Sequence, residues 1–180
     1  HLHIPIQSGD DKILKKMNRR YSHESFSELF NRIKSAVPGI AITTDVLVGF
    51  PGETERNFRN TADLVKEILP LRVHIFPYSP REYTLANNFP DKVKPEAVKK
   101  RILQLKEIAQ KTAYIYQKKS LGKKIAVLIE GNVKNNPAFW EGYSDNYIKV
   151  LVKSKQNLKN KIASLRLNRI VKDCVLADFC

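Results

Sequence analysis

The first half of the chain alternates strand-like apolar runs with periodic, helix-like segments. Residues 1–6, 40–48 and 71–78 are short β-type runs. Between them, apolar side chains recur at three- and four-residue spacing, which predicts two amphipathic helices, one beginning after Ser22 and one after Thr54. Strands that alternate with crossover helices indicate parallel pairing with right-handed connections. We therefore expect an α/β layer or barrel, of which these three strands are a part.

The second half begins with a longer helix and then changes to short strands. After a turn-rich linker at residues 87–91, the segment from Pro95 to about Lys118 has one apolar stripe, with its lysines largely outside it. Helical periodicity stops at Leu121, and about 60 residues in five short strands suit a small antiparallel barrel of the oligonucleotide-binding kind. The five runs are residues 125–129, 140–143, 147–152, 161–167 and 170–179.

Composition excludes several classes of protein. The chain has 180 residues, of which 42% are hydrophobic, so it can bury a core. Its two cysteines, Cys174 and Cys180, cannot form a disulfide framework, a structural zinc site or the ligand set of an iron–sulfur cluster. No apolar run approaches the roughly 20 residues that cross a bilayer. The first residue, His1, is not a Met, and the residues after it do not form a signal peptide. We therefore expect a cytoplasmic chain that is part of a longer one.

Positive charge is concentrated in the second half. The chain carries 32 Lys and Arg against 18 Asp and Glu, for a net charge of +14. Residues 1–91 hold 12 basic and 11 acidic side chains, whereas residues 92–180 hold 20 and 7. Neutralisation of phosphates by Lys and Arg drives nucleic-acid binding, so the second half is typical of a nucleic-acid partner. Lys-rich surfaces also occur without such a partner, and that alternative stays open.

Three features of the first half could carry chemistry. Loop 48–54 has two glycines between a strand and a helix start, which lets the backbone approach a ligand, although it can equally be an ordinary turn. His1 and His3 share a strand face and His74 lies on the third strand, but this spacing favours ordinary hydrogen-bonded histidines over a metal pair. Asp45 interrupts an apolar strand, where a carboxylate needs either a partner or a function.

Aromatic and basic side chains are interspersed in the predicted barrel. Rings that stack on bases, beside cations that hold phosphates, are what recognition of single-stranded or looped RNA requires. For any single ring, packing in the core of so small a barrel is the competing explanation. The side chains concerned are Phe139, Trp140, Tyr143, Tyr147, Lys123, Lys124, Lys149 and Lys153.

Several motifs occur in a fixed order along the chain: HLHIPIQSG at residues 1–9, MNRRY at 17–21, TDVLVGFPGET at 44–54 and YSPR at 78–81. Their order and spacing resemble those of the radical S-adenosylmethionine methylthiotransferases. The segment GYSDNY at residues 142–147 is similar to the RNA-binding TRAM domain of that family. HIFPYSPR at residues 74–81 most resembles the branch that acts on threonylcarbamoyladenosine in tRNA. The isopentenyladenosine enzymes and the ribosomal-protein enzymes are the alternatives.

The resemblance implies a fold of three parts. These are the C-terminal half of a (β/α)6 partial TIM-type barrel at residues 1–91, a basic connecting helix at 92–119 and a TRAM barrel at 120–180. It also implies the cofactors S-adenosylmethionine and [4Fe–4S] clusters, with a tRNA anticodon stem-loop as partner. In this family a reduced cluster cleaves S-adenosylmethionine to a 5′-deoxyadenosyl radical, and a methylthio group is added to C2 of a modified adenosine next to the anticodon.

The resemblance also implies roles for single residues, all of them in positioning and none catalytic. Gln7 and Ser8 would lie near the ribose and methionine part of S-adenosylmethionine, with Arg20 a weaker candidate for its carboxylate end. Ser79 and Arg81 would face cofactor or substrate. The loop beside the adenine would consist of Gly49, Phe50, Pro51, Gly52 and Glu53. The RNA contacts would come from Lys123, Lys124, Tyr143, Tyr147 and Lys149.

This sequence departs from the family pattern at two places. The Cys-x-x-x-Cys-x-x-Cys motif of the radical cluster and the three cysteines of the N-terminal domain do not occur in these 180 residues. Residues 82–85 replace the family's Gly-Thr-Pro run. We therefore expect this chain alone to be inactive, and an isolated RNA-binding module is the alternative function. A half-barrel has an unpaired sheet edge, so we also expect a dimer through that edge.

Overall fold

The computed structural model describes residues 1–180 and divides into two compact units, residues 2–112 and residues 113–180 together with His1. The first unit contains β1 (Leu2–His3), α1 (Asp11–Lys16), α2 (His23–Ala36), β2 (Ile42–Val48), α3 (Glu55–Ile68), β3 (Arg72–Pro77) and a 3-10 helix (Leu85–Asn88). Helix α4 (Pro95–Ser120) begins in the first unit and ends in the second. The second unit contains β4 (Lys124–Val133), β5 (Asn136–Ser144), β6 (Lys149–Lys153), β7 (Ile162–Val171) and β8 (Cys174–Phe179).

The three strands of the first unit form a parallel sheet in the order β1-β2-β3, as the alternation of strands and helices predicts. β1 is shorter than the predicted run at residues 1–6. Pro5 has no amide hydrogen to donate to a neighbouring strand, and Gln7 adopts a φ of +61°. Pairing therefore resumes only at an isolated bridge between Gln7 and Val46.

The two predicted helix starts are confirmed. The Ser22 and Thr54 side chains accept hydrogen bonds from the backbone N–H groups of Ser25 and Asn57, which completes a capping box at each helix. The apolar spacing after Thr54 predicts a buried stripe of Phe58, Ala62, Val65 and Leu69 on α3, which is confirmed at its first three positions and is wrong at Leu69. Leu69 is the left-handed C-cap of α3 and is only half-buried, because the helix has ended, and the buried positions of the last turns belong to Leu64 and Ile68.

Helix α4 packs on the same core as α2 and α3. Leu105 is fully buried, and Val98, Ile102 and Ile108 pack around it on the cluster of the sheet. The apolar stripe predicted for α4, namely Val98, Ile102, Leu105, Ala109 and Ala113, is therefore confirmed at its first three positions. No helix is both long and apolar enough to cross a lipid bilayer.

The second unit is a closed five-stranded barrel with the order β4-β5-β6-β8-β7. Five strands are confirmed, but the expectation of a purely antiparallel barrel is wrong at one pairing, since β6 and β8 run parallel. The reason is geometric: an odd number of strands cannot alternate in direction all the way round a closed ring. The boundary of the last two strands also differs, because Ile170 belongs to β7 and not to the final strand. Cys174 is buried in β8, as expected.

Gly142 provides a test of how tightly this barrel is closed. A Cβ at Gly142 would overlap the carbonyl oxygen of Leu128 and lie 2.8 Å from the Cα of Ile129 on the neighbouring strand. We expect Gly142→Ala to lower the free energy of unfolding by about 1–3 kcal/mol, because backbone atoms cannot yield as a flexible side chain would.

The matched control is Gly131→Ala on β4, where a Cβ has no atom within 4 Å. This change should stay within about 0.5 kcal/mol of the parent chain in urea denaturation. Equal effects of the two substitutions would show that the close approach of the backbone at Gly142 does not contribute to the stability of the barrel.

Candidate functional site

The carboxyl ends of the three parallel strands meet at one edge of the sheet. The Leu47 amide donates to the Gln7 carbonyl at 2.9 Å, and the Tyr78 amide donates to the Val48 carbonyl at 2.8 Å. The loops that follow these strands therefore begin side by side, at the edge where α/β folds bind ligands. Most of the residues with predicted cofactor roles belong to these loops. Arg20 does not belong to them, because it lies in the segment after α1.

Ser8 and Gly9 hold the first of these loops against α3. The Ser8 side chain is only 1% exposed, and its hydroxyl lies 3.2 Å from the hydroxyl of Thr61. The Gly9 amide donates to the same Thr61 oxygen at 2.9 Å, and a Cβ at Gly9 would lie 2.7 Å from the Thr61 Cα. The close packing of Gly9 and the hydroxyl of Ser8 thus set the position of Gln7. The cofactor contact of Ser8 stays a prediction.

Asp10 closes the same loop, and sequence reasoning missed it. Its Oδ1 accepts from the amides of Lys12 and Ile13, which caps α1, and its Oδ2 accepts from Asn60 Nδ2 at 2.7 Å. Burial raises the pKa of Asp10, but the hydrogen bonds of Asn57, Asn60 and the two amides lower it more, so the net pKa lies below its ordinary value. An Asp directly before a short apolar helix was the available signal.

The loop after β2 owes its glycines to packing. Gly49 and Gly52 have φ values of +84° and +83°, which other residues adopt only with strain. A Cβ at Gly49 would lie 2.6 Å from a methyl group of Val98 on α4, and one at Gly52 would overlap the ammonium group of Lys16. Phe50 and Pro51 between them are buried. The space next to both glycines is therefore filled by the chain itself, and the predicted adenine contact of this loop stays a prediction.

Glu53 forms a buried ion pair with Arg101 of α4. Arg101 Nη1 donates to Glu53 Oε1 at 2.7 Å and to the Glu53 carbonyl at 3.1 Å, and the two side chains are 7% and 2% exposed respectively. The same Oε1 accepts from the Gly49 amide at 3.1 Å. Burial raises the pKa of Glu53, although the Gly49 amide and Arg101 both oppose that shift.

Arg101 is the main residue of this edge that sequence reasoning missed. It lies three residues after Val98 and four before Leu105, so it falls on the apolar stripe of α4 and not among the solvated lysines. A charged residue on an apolar stripe indicates a buried partner, and its guanidinium also lies 5.7 Å from the centre of the Phe58 ring. Glu53, with a predicted adenine role, is the partner.

Three residues with predicted cofactor roles keep accessible side chains at this edge. Gln7 is half-buried, whereas Ser79 and Arg81 are exposed. An amide, a hydroxyl and a guanidinium can donate to carboxylate, ribose or phosphate oxygens. These side chains are therefore of the types that bind a polar anionic ligand.

In the second unit, the structure brings three of the predicted RNA-binding residues together on the hairpin of β5 and β6. Tyr143 is in register with Lys149 across the two strands. The Tyr147 ring stacks on Tyr143 at 5.0 Å and on His1 at 4.6 Å. Lys149 Nζ lies 2.9 Å from Glu141 Oε2, and this hydrogen bond is the main reason why the pKa of Lys149 is raised.

Three other aromatic or basic residues of this prediction lie on or next to β4 and β5. Lys123 and Lys124 are exposed at the start of β4, the strand that pairs with β5. Trp140 is 8% exposed and donates from Nε1 to the Ser154 carbonyl at 3.3 Å, so for this ring core packing is the correct explanation.

Comparison with known proteins finds relatives among tRNA-modifying enzymes. The profile of the radical SAM superfamily matches residues 1–65. A tRNA-2-methylthio-N(6)-dimethylallyladenosine synthase from Oceanobacillus iheyensis is 40% identical over 167 residues, covering 93% of this chain and 32% of the relative. The threonylcarbamoyladenosine tRNA methylthiotransferase of Bacillus subtilis is 37% identical, covering 93% and 38%. The chain thus spans about a third of the length of the curated relatives it matches.

One solved structure supports the fold. Coproporphyrinogen III oxidase from Escherichia coli, described as a radical SAM enzyme, matches with a TM-score of 0.54 at 14% identity. The match covers 79% of this chain and 40% of that one. The fold neighbour and the parallel sheet agree with the expected part of a radical SAM barrel.

The buried ion pair makes a stability prediction. Arg101→Met leaves Glu53 buried without its partner, and we expect it to lower the free energy of unfolding by about 3–5 kcal/mol. The double variant E53Q/R101M should lose less than the two single variants together, because no buried charge is left unpaired.

Arg59→Met serves as the matched control. Arg59 belongs to α3, pairs with Glu55 at 3.7 Å and has 73% of its side chain exposed. An exposed pair of this kind contributes little, so R59M should unfold at nearly the parent urea midpoint. If R101M matched R59M, the buried pair would not be what holds the loop to α4.

Proposed function

The chain belongs to the radical SAM methylthiotransferase family, and we propose that it supplies part of the S-adenosylmethionine site and the RNA-binding surface of a tRNA-modifying enzyme. The reaction proposed for the whole enzyme adds a methylthio group to C2 of a modified adenosine next to the anticodon. The cofactor and the [4Fe–4S] clusters of the family supply the radical chemistry. The residues of this chain bind, orient and exclude water.

The donor set at the carboxyl edge of the sheet fits S-adenosylmethionine. The cofactor ends in an amino-acid carboxylate and carries ribose hydroxyls, which suit the guanidinium of Arg81, the hydroxyl of Ser79 and the amide of Gln7. Glu53 and Ser8 would act through the backbone that they hold in place, since both side chains are engaged within the chain. Arg20 is kept as a weaker candidate.

We assign the barrel to the oligonucleotide-binding type and, more narrowly, to the TRAM domains. Its five strands in a closed barrel support this assignment. In such barrels the usual binding face is formed by strands two and three, which are β5 and β6 here. The observation that carries the RNA proposal is the stack of Tyr143 and Tyr147 beside Lys149 on that face, within the strongly basic half of the chain. Stacked rings beside cations are the parts that looped RNA needs.

The substrate is proposed as a tRNA anticodon stem-loop carrying threonylcarbamoyladenosine, on the similarity of residues 74–81. Dimethylallyladenosine is the second candidate, because relatives of both names match at nearly equal identity. A ribosomal-protein substrate is disfavoured, since a basic protein would be repelled by this half of the chain. Dimerisation through the open edges of β1 or β3 stays a prediction.

The RNA surface can be tested by charge reversal. We expect K123E/K124E/K149E to lower the affinity for an anticodon stem-loop at least tenfold in fluorescence anisotropy. In a plot of log affinity against log salt concentration, each phosphate contact to single-stranded RNA contributes about 0.7 to the slope. Loss of three such contacts should therefore reduce the magnitude of the slope by about 2. Tyr147→Ala should weaken binding by about 1–3 kcal/mol if the ring stacks on a base.

The control for charge alone is K12E/K15E/R32E, three exposed residues of the first unit. It changes the net charge equally and should leave the affinity within about twofold, because long-range effects are screened at physiological salt. Equal losses in both triple variants would overturn the assignment to the barrel. Stem-loops carrying threonylcarbamoyladenosine, dimethylallyladenosine or plain adenosine, compared at fixed salt, would rank the two substrates.

The expected inactivity of this chain alone has its own test. After anaerobic treatment with iron and sulfide and desalting, we expect no acid-labile sulfide to remain with the protein. A cluster needs at least three thiolates, and burial raises the pKa of Cys174, the more enclosed of the two thiols, to about 11. Stoichiometric sulfide on the protein would contradict this, and a relative that has the cysteine motif serves as the positive control.

A further inference from the structure

The face of the sheet that points away from α2 and α3 carries a cluster of two histidines and one carboxylate. Alternate residues of β2 point to opposite faces, so Ile42, Val46 and Val48 enter the core with the helices while Asp45 does not. Parallel register pairs His74 of β3 with Asp45 of β2. His3 of β1 pairs with Thr43, two residues before Asp45 and on the same face of the sheet. The side-chain ligand atoms of His3, Asp45 and His74 all lie within 4.8 Å of one another.

We propose that His3, Asp45 and His74 form a binding site for one divalent first-row transition-metal ion, with Zn²⁺ as the reference ion. Two imidazole nitrogens and one carboxylate oxygen are the ligand set of three-residue zinc sites and of facial-triad iron sites. This metal site goes beyond the proposed function.

The distances suit such an ion. Bonds of about 2.0–2.1 Å to a tetrahedral Zn²⁺ place its ligand atoms about 3.4 Å apart. His3 Nε2 and Asp45 Oδ2 are already 3.2 Å apart. The His74 ring is exposed and makes no hydrogen bond, so it can turn towards the ion without losing one. Three protein ligands leave a fourth position open on the accessible face of the sheet.

His3 is held in the orientation that a ligand needs. Its Nδ1 lies 2.8 Å from Thr43 Oγ1, and Thr43 is buried. With Nδ1–H donating to that hydroxyl, the lone pair of Nε2 points to the side of Asp45. Metal-binding histidines almost always have their second nitrogen fixed by a partner of this kind. A simple His–Asp ion pair would satisfy His3 and Asp45 but would leave His74 without a role.

Titration of the metal-free chain, without a histidine tag, tests the site. We expect one Zn²⁺ per chain by calorimetry, and Co²⁺ at the same site should give the absorption bands of a low-symmetry complex. His3→Ala, Asp45→Asn and His74→Ala should each lower the affinity at least about tenfold and remove those bands. His74→Ala is the decisive variant, because the exposed ring is not needed for folding.

The chain offers a matched control in His23, whose Nε2 lies 3.8 Å from Glu67 Oε2 in a pair that has no third ligand. His23→Ala and His1→Ala should leave the affinity and the Co²⁺ spectrum unchanged. If His74→Ala binds Zn²⁺ as tightly as the parent, or if no variant alters a weak multi-site titration, the three residues form only an ion pair beside a third ring and the proposal is overturned.

Discussion

The ion pair between Glu53 and Arg101 is the interaction on which the carboxyl edge of the sheet depends. A buried charge is costly unless it is paired, and Arg101 of α4 is the partner that stabilises the Glu53 carboxylate in its position. The same carboxylate holds the Gly49 amide, which sets the left-handed turn after β2. One contact thus joins the strand end, the loop and the long helix, and it gives a motif residue a structural task.

The parallel sheet separates structural from chemical residues by its two faces and its two ends. One face meets α2, α3 and α4 and is apolar, whereas the other carries His3, Asp45 and His74. The carboxyl end collects the loops. The two faces differ because side chains alternate along each pleated strand. The loops collect at one end because all three parallel strands end at the same edge.

The barrel follows a different constraint. Five strands can close only with at least one parallel pair, and here β6 beside β8 is that pair. The hairpin of β5 and β6 then carries stacked Tyr143 and Tyr147, while Trp140 lies in the barrel core. Trp140 and Tyr143 therefore divide between core and surface because they point to opposite faces of β5, whereas Tyr147 lies in the connection between β5 and β6.

Local pattern alone determined the two helix starts at Ser22 and Thr54, the long helix and the five barrel strands, because caps and apolar periodicity act within a few residues of one another. The order of strands and helices along the chain predicted the parallel pairing. The family motifs indicated the radical S-adenosylmethionine chemistry. Only the tertiary structure decided that Glu53 pairs with Arg101, that Ser8 is bound to Thr61, that Val98 fills the space at Gly49, and that His74 joins His3 and Asp45. Each of these contacts joins residues far apart in sequence, and their distances exist only once sheet register and helix packing are set.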